Sequence, residues 1–173
     1  VLAPNERFED PEGALLVSKS LEDFDEVLFE SPVPQDRIDW YVQLRREIPQ
    51  KIALHLTSIH HLLPALKADA AHAYNLLGPL KPFVDWATLC RQAGCPTWRG
   101  TGMDLGVRDM SSVHAAAAAG CTLPSDIIGH LLREDDLLEK PIQFEDGALV
   151  VPDLPGLGIR LDREALERYR VPD

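Results

Sequence analysis

Short apolar runs alternate with amphipathic helical stretches through most of this chain, with a cadence of roughly 25 residues. Runs such as Leu28-Phe29 and Ile52-Ala53-Leu54 are too short for helices and lack polar alternation. They read as strands buried on both faces, the signature of a parallel sheet. The pattern predicts strands at Val1–Ala3, Glu26–Glu30, Lys51–Thr57, Asp69–Tyr74, Thr97–Trp98 and Ser125–Ile128. Helices are predicted at Pro11–Leu21, Pro34–Glu47, His61–Leu66, Leu80–Ala93 and Asp104–Ala119. Pro11 suits a first helical turn, and Gly94 and Gly120 suit helix ends. In the helix before Gly94, Phe83, Trp86, Ala87 and Cys90 share one face. This order belongs to a (β/α) barrel or a doubly wound sheet, and 173 residues suffice for one real core.

The tail departs from the cadence. Pro141–Phe144 and Ala148–Val151 flank Asp146-Gly147, the turn pair of a tight hairpin. Ile142 and Phe144 alternate with polar residues, which predicts one buried face. Pro155-Gly156-Leu157-Gly158 reads as a turn, because it follows a hairpin and opens no long helix as a phosphate loop would. Asp162 is a good N-cap for a final helix, Arg163–Tyr169. The chain therefore divides into a barrel-like part, residues 1–140, and a tail, residues 141–173, packing back on it.

Where a parallel strand leaves the core, its C-terminal end carries the chemistry. Glu30 occupies such a place, followed by Ser31-Pro32, which stop the strand. The formal net charge of −11 argues against nucleic acid and anionic membrane as partners. Cys90, Cys95 and Cys121 are odd in number and lack zinc-ligand spacing, so a reducing compartment, the cytoplasm, is expected. No apolar run approaches the length of a transmembrane helix, and no secretory leader is read. His60-His61 read as solvated loop residues, His114 as a core histidine with one bonded nitrogen, and Lys81 and Asp85 as surface residues. Gly-x-Ser-x-Gly, P-loop and dinucleotide signatures do not occur.

Several pieces together resemble the C-terminal barrel domain of the mandelate racemase and muconate-lactonizing branch of the enolase superfamily. They are Phe29-Glu30-Ser31-Pro32, Thr101-Gly102-Met103-Asp104-Leu105-Gly106, Val113-His114-Ala115-Ala116 and Ser125-Asp126-Ile127. In the tail, Phe144-Glu145-Asp146-Gly147, Pro155-Gly156-Leu157-Gly158-Ile159 and Leu161-Asp162 carry the likeness. The resemblance implies an α/β fold, a partial TIM-type (β/α) barrel holding strands three to eight, with a C-terminal hairpin and short helix. The capping domain and first two strands, with the lysine pair of the second, would lie outside this chain. Opening at Val1 without Met, the chain reads as a piece of a longer one.

The resemblance also implies a chemistry. Such enzymes remove the proton α to a carboxylate, Mg²⁺ holds the enediolate, and a Lys or His is the base. The substrate would be a small carboxylate or sugar acid, and the outcome racemisation, cycloisomerisation or dehydration. The family presents three carboxylate ligands on successive strand ends. Glu30 matches the middle one. The first falls on Ala3, before Pro4-Asn5, and the third on Leu56 or Thr57 within or just past Ile52–Leu56. Mg²⁺ is therefore expected to be weakly held or absent, with Glu30 its single metal ligand. Two other readings of Glu30 stay open: a softer metal shared with His55, or an ion pair with a cation such as Arg99. By the same likeness His72, Asn75 and Asp104 are the catalytic candidates, and Asn5, His55, Thr57 and Arg99 the substrate-binding ones. The alternative is a non-catalytic homologue kept for binding or assembly. Six strands of eight leave two open edges, so a homo-oligomer or the missing N-terminal part is expected to complete the barrel.

Overall fold

The computed structural model describes residues 1–24 and 28–171; Glu26 and Val27 of the second predicted strand lie outside the described residues. Four strands, β1 (Leu28–Glu30), β2 (Lys51–Leu56), β3 (Ala73–Leu76) and β4 (Thr97–Arg99), pair in chain order and all in parallel. Parallel neighbours need a crossover. Helices α2 (Ile38–Glu47), α3 (Ile59–Lys67) and α4 (Leu80–Gln92) supply it. Helix α1 (Pro11–Ser20) precedes β1, and α5 (Gly106–Ala119) follows β4. The result is an α/β fold, an arc of a (β/α) barrel. On the outer side of β1, Leu2 forms a single parallel bridge to Phe29.

Local chemistry sets the boundaries. Asp10 caps α1 by accepting from the Gly13 amide at 3.0 Å, with Pro11 in the first turn. Gly120 ends α5 at φ +65°, a conformation that favours glycine. Helix α2 starts at Ile38 rather than Pro34, because Pro34–Arg37 closes a turn in which the Arg37 amide donates to the Pro34 carbonyl at 3.1 Å. β3 starts at Ala73 rather than Asp69. Residues 68–70 bond back onto the end of α3, as in the 3.0 Å contact from the Ala70 amide to the Ala65 carbonyl.

The predicted strand at Ser125–Ile128 is not one. Its segment does follow the free edge of β4: the amides of Thr122 and Leu123 donate to Thr97, and that of Asp126 to Arg99. But Pro124 has no amide to give, and the Arg99 amide donates to the Ser125 hydroxyl at 3.0 Å instead of to a backbone carbonyl. The ladder breaks there. Among the described residues the sheet thus holds four strands and the Leu2 bridge instead of six strands.

Successive side chains on a strand point to opposite faces. Phe29, Ile52, Leu54, Leu56, Tyr74 and Leu76 pack outward against Tyr41, Leu44, Leu62, Phe83 and Ala87 of the helices. On the inner face Ala53, Ala73 and Trp98 pack together with Leu28 and Leu123. Arg99, one step past Trp98, joins the helix side and is wholly buried. Its Nε donates to the Ser112 hydroxyl at 3.3 Å, and its guanidinium carbon lies 4.6 Å from the Phe83 ring centre. Both terminal nitrogens lack a hydrogen-bond partner among the described residues.

In the tail, β5 (Phe144–Glu145) and β6 (Ala148–Leu149) pair antiparallel around Asp146-Gly147, both at positive φ as the tight turn requires. Ile142 is buried with Met110, Val113 and Ile127, as the alternation predicts. Phe144 is not; it is 58% exposed. The two-residue ladder pairs it with Leu149, and Leu149 is the one that packs on the Met110 cluster. Asp162 caps α6 (Arg163–Arg168), accepting from the amides of Glu164 and Ala165 at 2.9 and 3.0 Å.

A buried, unpaired guanidinium costs several kcal/mol, of which a cation–π contact returns about 2. Arg99→Met is therefore expected to raise the unfolding free energy by roughly 1–3 kcal/mol in urea titrations. A loss of stability would mean that the guanidinium is satisfied in solution.

Candidate functional site at the strand ends

The parallel register gathers three polar side chains at the C-terminal ends of the strands. Glu30 pairs with Ala53, His55 with Asn75, and Asn75 with Trp98, so Glu30, His55 and Asn75 share the inner face. Asn75 Nδ2 donates to Glu30 Oε1 at 2.8 Å. His55 Nδ1 lies 3.7 Å from the same oxygen. Glu30 and Asn75 are 7% and 2% exposed. Ser31 turns the chain out of β1 at φ 42°, and its hydroxyl accepts from the His55 amide at 2.9 Å. Gly100, just past β4, lets Asn75 sit where it does: a Cβ there would fall 2.2 Å from Asn75 Oδ1.

Burial dominates the electrostatics. It pushes the Glu30 carboxyl up, against the lowering effect of the Asn75 hydrogen bond. It pushes His55 down, while the charges of Asp126 and Glu6 pull the other way. Asp126, exposed at the rim, is pushed up first by desolvation and then by the Glu30 charge. The inner pair thus leans towards a protonated acid beside a neutral imidazole.

The other predicted site residues scatter. By alternation from the Leu2–Phe29 bridge, Ala3 falls on the Glu30 face and offers only a methyl group. Leu56 is fully buried on the helix side, and Thr57 is exposed beyond β2. On β2 the polar residue that shares the Glu30 face is His55, beyond Ala53, whereas Leu56, expected at the third ligand position, faces the helices and Thr57 lies past the strand. Asn5 is exposed and bonds its own loop, Nδ2 to the Ala3 carbonyl at 3.2 Å. His72 precedes β3, at the opposite end of the sheet. Its Nδ1 accepts from the Ile52 amide at 3.0 Å, so it latches β2 to β3 away from Glu30. Asp104 lies in the loop after β4, engaged by the Gly102 amide at 3.3 Å and Arg108 Nε at 3.6 Å. That loop is pinned by Arg133, which donates to the Met103 carbonyl at 2.6 Å and pairs with Asp109 and Asp136. Arg99 points into the helix layer, so it neither pairs with Glu30 nor reaches a ligand at the strand ends. His60 and His61 belong to α3 rather than to a loop. His114 makes one ring contact, Nε2 to the Leu157 carbonyl at 3.3 Å, and Lys81 pairs with Asp85 on the surface. Asp126 was not singled out for the site, although a carboxylate beside Ile127 at a strand-like exit was the available signal.

These strand ends now have a setting. The family model described as enolase C-terminal domain-like matches residues 2–165. The chain belongs to this family, in its mandelate racemase and muconate-lactonizing branch. It is 28% identical over 174 residues to a chloromuconate cycloisomerase of Cupriavidus pinatubonensis, covering 96% of this chain and 46% of that one. It is also 28% identical to an N-succinylamino acid racemase of Thermus thermophilus, covering 80% of this chain and 40% of that one. A mandelate racemase/muconate lactonizing family protein from Azoarcus sp. EbN1 superposes with a TM-score of 0.88 at 26% identity, over 98% of this chain and 50% of that one. The chain spans about half the length of the relatives it matches.

Members of this superfamily generally use Mg²⁺, which wants several hard oxygen ligands in octahedral array. Here one carboxylate faces an amide and an imidazole. Its inner oxygen already accepts from Asn75, and imidazole suits softer metals. Among the described residues no three His, Cys, Asp or Glu side chains converge as ligands would. The residues present do not fit Mg²⁺.

The Glu30 shift carries a pH signature. Its folded pKa lies above the ordinary 4.5, so the unfolded chain ionises first. Its contribution to stability is complete below pH 4.5 and is lost as pH rises through the folded value. Asp126 has the same sign. His55 has the opposite one: complete above pH 6.5, lost as pH falls through its lowered folded value. Glu30→Gln should therefore gain stability relative to wild type as pH is raised from 4 to 7 in urea titrations, by an amount that grows with pH and vanishes at the acid end. A difference independent of pH would show that Glu30 has an ordinary pKa.

Proposed function

We propose that this chain is the C-terminal barrel part of a protein whose ancestral chemistry is metal-assisted removal of the proton α to a carboxylate, and that its metal site is degenerate. The observation that carries this is Glu30 flanked by Ala3 and His55 on the neighbouring chain segments, where companion carboxylates would be needed, with the Asn75 amide as its hydrogen-bond partner. The substrate class of such chemistry is a small carboxylate or sugar acid. The names of the relatives, a cycloisomerase and a racemase, support isomerase chemistry as its origin. In the ancestral chemistry a divalent cation would stabilise the charge of an enediolate. Glu30 is the carboxylate that remains at the place of its ligands. His55 would hold or accept a proton at Nδ1, and Asn75 would orient Glu30.

A second reading, a non-catalytic homologue serving binding or assembly, has its own observation. The charges that act on His55 from the rim are those of Asp126 and Glu6, both acidic, and Arg99 is turned away. Among the described residues no cation is turned towards a carboxylate ligand at the strand ends.

Calorimetric titration of wild type and Glu30→Gln with Mg²⁺ and Mn²⁺ tests the degenerate site. The expected result is no micromolar binding in either, and no exchange of sugar-acid α-protons with solvent deuterium. Micromolar binding abolished by Glu30→Gln would overturn it.

We also propose that a second copy, or the rest of the parent protein, covers the exposed apolar side chains Leu131, Leu132, Phe144 and Leu154. Light scattering over a dilution series should reveal an oligomer, or a melting transition that moves with concentration. A compact monomer with a sharp, concentration-independent melt would refute this.

A further inference from the structure

We propose that Asn75 has taken over the part of a cation at Glu30, and that Gly100 is the positioning residue that makes this possible. The inference rests on reading Glu30 as the surviving member of a carboxylate set. It adds what replaced the metal.

A carboxyl group buried this deeply needs a donor or a positive partner. Among the described residues no lysine or arginine nitrogen lies within 4.0 Å of Glu30; its close titratable neighbour is the His55 ring at 3.7 Å, which burial holds towards its neutral form. The one hydrogen bond to the carboxylate comes from the Asn75 amide, from a strand two places away in the sheet. Against an ionised Glu30 the turned-over amide would set its carbonyl oxygen on Oε1, acceptor against acceptor. As placed, Oδ1 is buried with no hydrogen-bond partner and faces the Gly100 backbone. A buried acceptor left unpaired is destabilising, and the Nδ2 contact to Glu30 offsets that loss. Any side chain at position 100 would drive a Cβ to 2.2 Å from Oδ1 and push the amide off Glu30.

An amide N–H serves a carboxyl in either protonation state and adds no charge. A divalent cation serves only the ionised form. Asn75 therefore satisfies the buried carboxyl without a metal. The idea has a sharp consequence. Asn75→Asp keeps the shape of the side chain but replaces the donor with a second carboxylate. Two carboxylates at hydrogen-bond distance need a proton or a hard cation between them.

Binding of Mn²⁺ is followed by the loss of the free-ion EPR signal, for wild type, Asn75→Asp and the double variant Glu30→Gln/Asn75→Asp. Asn75→Asp is expected to bind at least tenfold more tightly than wild type, and the double variant to lose the gain. Glu30-dependent micromolar binding by wild type would sink both this inference and the degenerate-site reading. Failure of Asn75→Asp to gain affinity, with circular dichroism and melting as in wild type, would sink this inference alone. Should the variant not fold, the ¹⁵N side-chain resonances of wild-type Asn75 decide. They are expected to be slow to exchange, to move as Glu30 titrates, and to lose both properties in Gly100→Ala. An Asn75 amide that exchanges like free asparagine and ignores Glu30 overturns the proposal.

Discussion

The two-residue period of four short parallel strands decides what each side chain of this sheet can do. Odd and even positions see different worlds. Phe29, Leu54, Tyr74 and Leu76 meet the helices, while Glu30, His55, Asn75 and Trp98 meet the inside of the arc. A shift of one residue exchanges these sets. That is why Arg99, adjacent in sequence to Trp98, is lost to the strand-end site and lies between Phe83 and Ser112. It is also why His55, not Leu56, is the residue of β2 that approaches Glu30.

Once these polar groups face inward, burial sets their chemistry. Desolvation raises the acid and lowers the base, so Glu30 and His55 are driven towards the uncharged forms that a half-closed site tolerates. A neutral amide completes such a pair without adding charge. A divalent ion would require Glu30 to ionise against its desolvation. The packing at Gly100 matters for the same reason, since it holds the amide close enough to serve.

Much of this was legible in the chain itself. The buried runs, the crossover helices, the Asp146-Gly147 hairpin and the Asp162 cap are local signals, and the structure follows them. Glu30 could be picked out because a carboxylate ending an apolar run is conspicuous. What could not be read was register. Glu30 and Asn75 are far apart in sequence, and only the pairing of β1 with β2 and of β2 with β3 brings them together. His72 looked like a strand-end base because β3 was placed several residues early; the cap of α3 consumes residues 68–70, leaving His72 at the wrong end of the sheet. Ser125 looked like a strand residue, but its hydroxyl replaces the backbone group that a strand would have offered to Arg99.

The frame and the site draw on different faces of the same strands. The outward face, with Phe29, Ile52, Leu54 and Leu56 wholly buried against the helices, supplies the hydrophobic stabilisation. The inward face contributes small residues, Ala53 and Ala73, and the polar groups at the strand ends. A substitution at His55 or Asn75 on that inner face removes no methylene from the helix-packed core. A chain can therefore keep a TM-score of 0.88 to a mandelate racemase/muconate lactonizing family structure at 26% identity. The fold reports ancestry, and the inward side chains carry whatever chemistry survives.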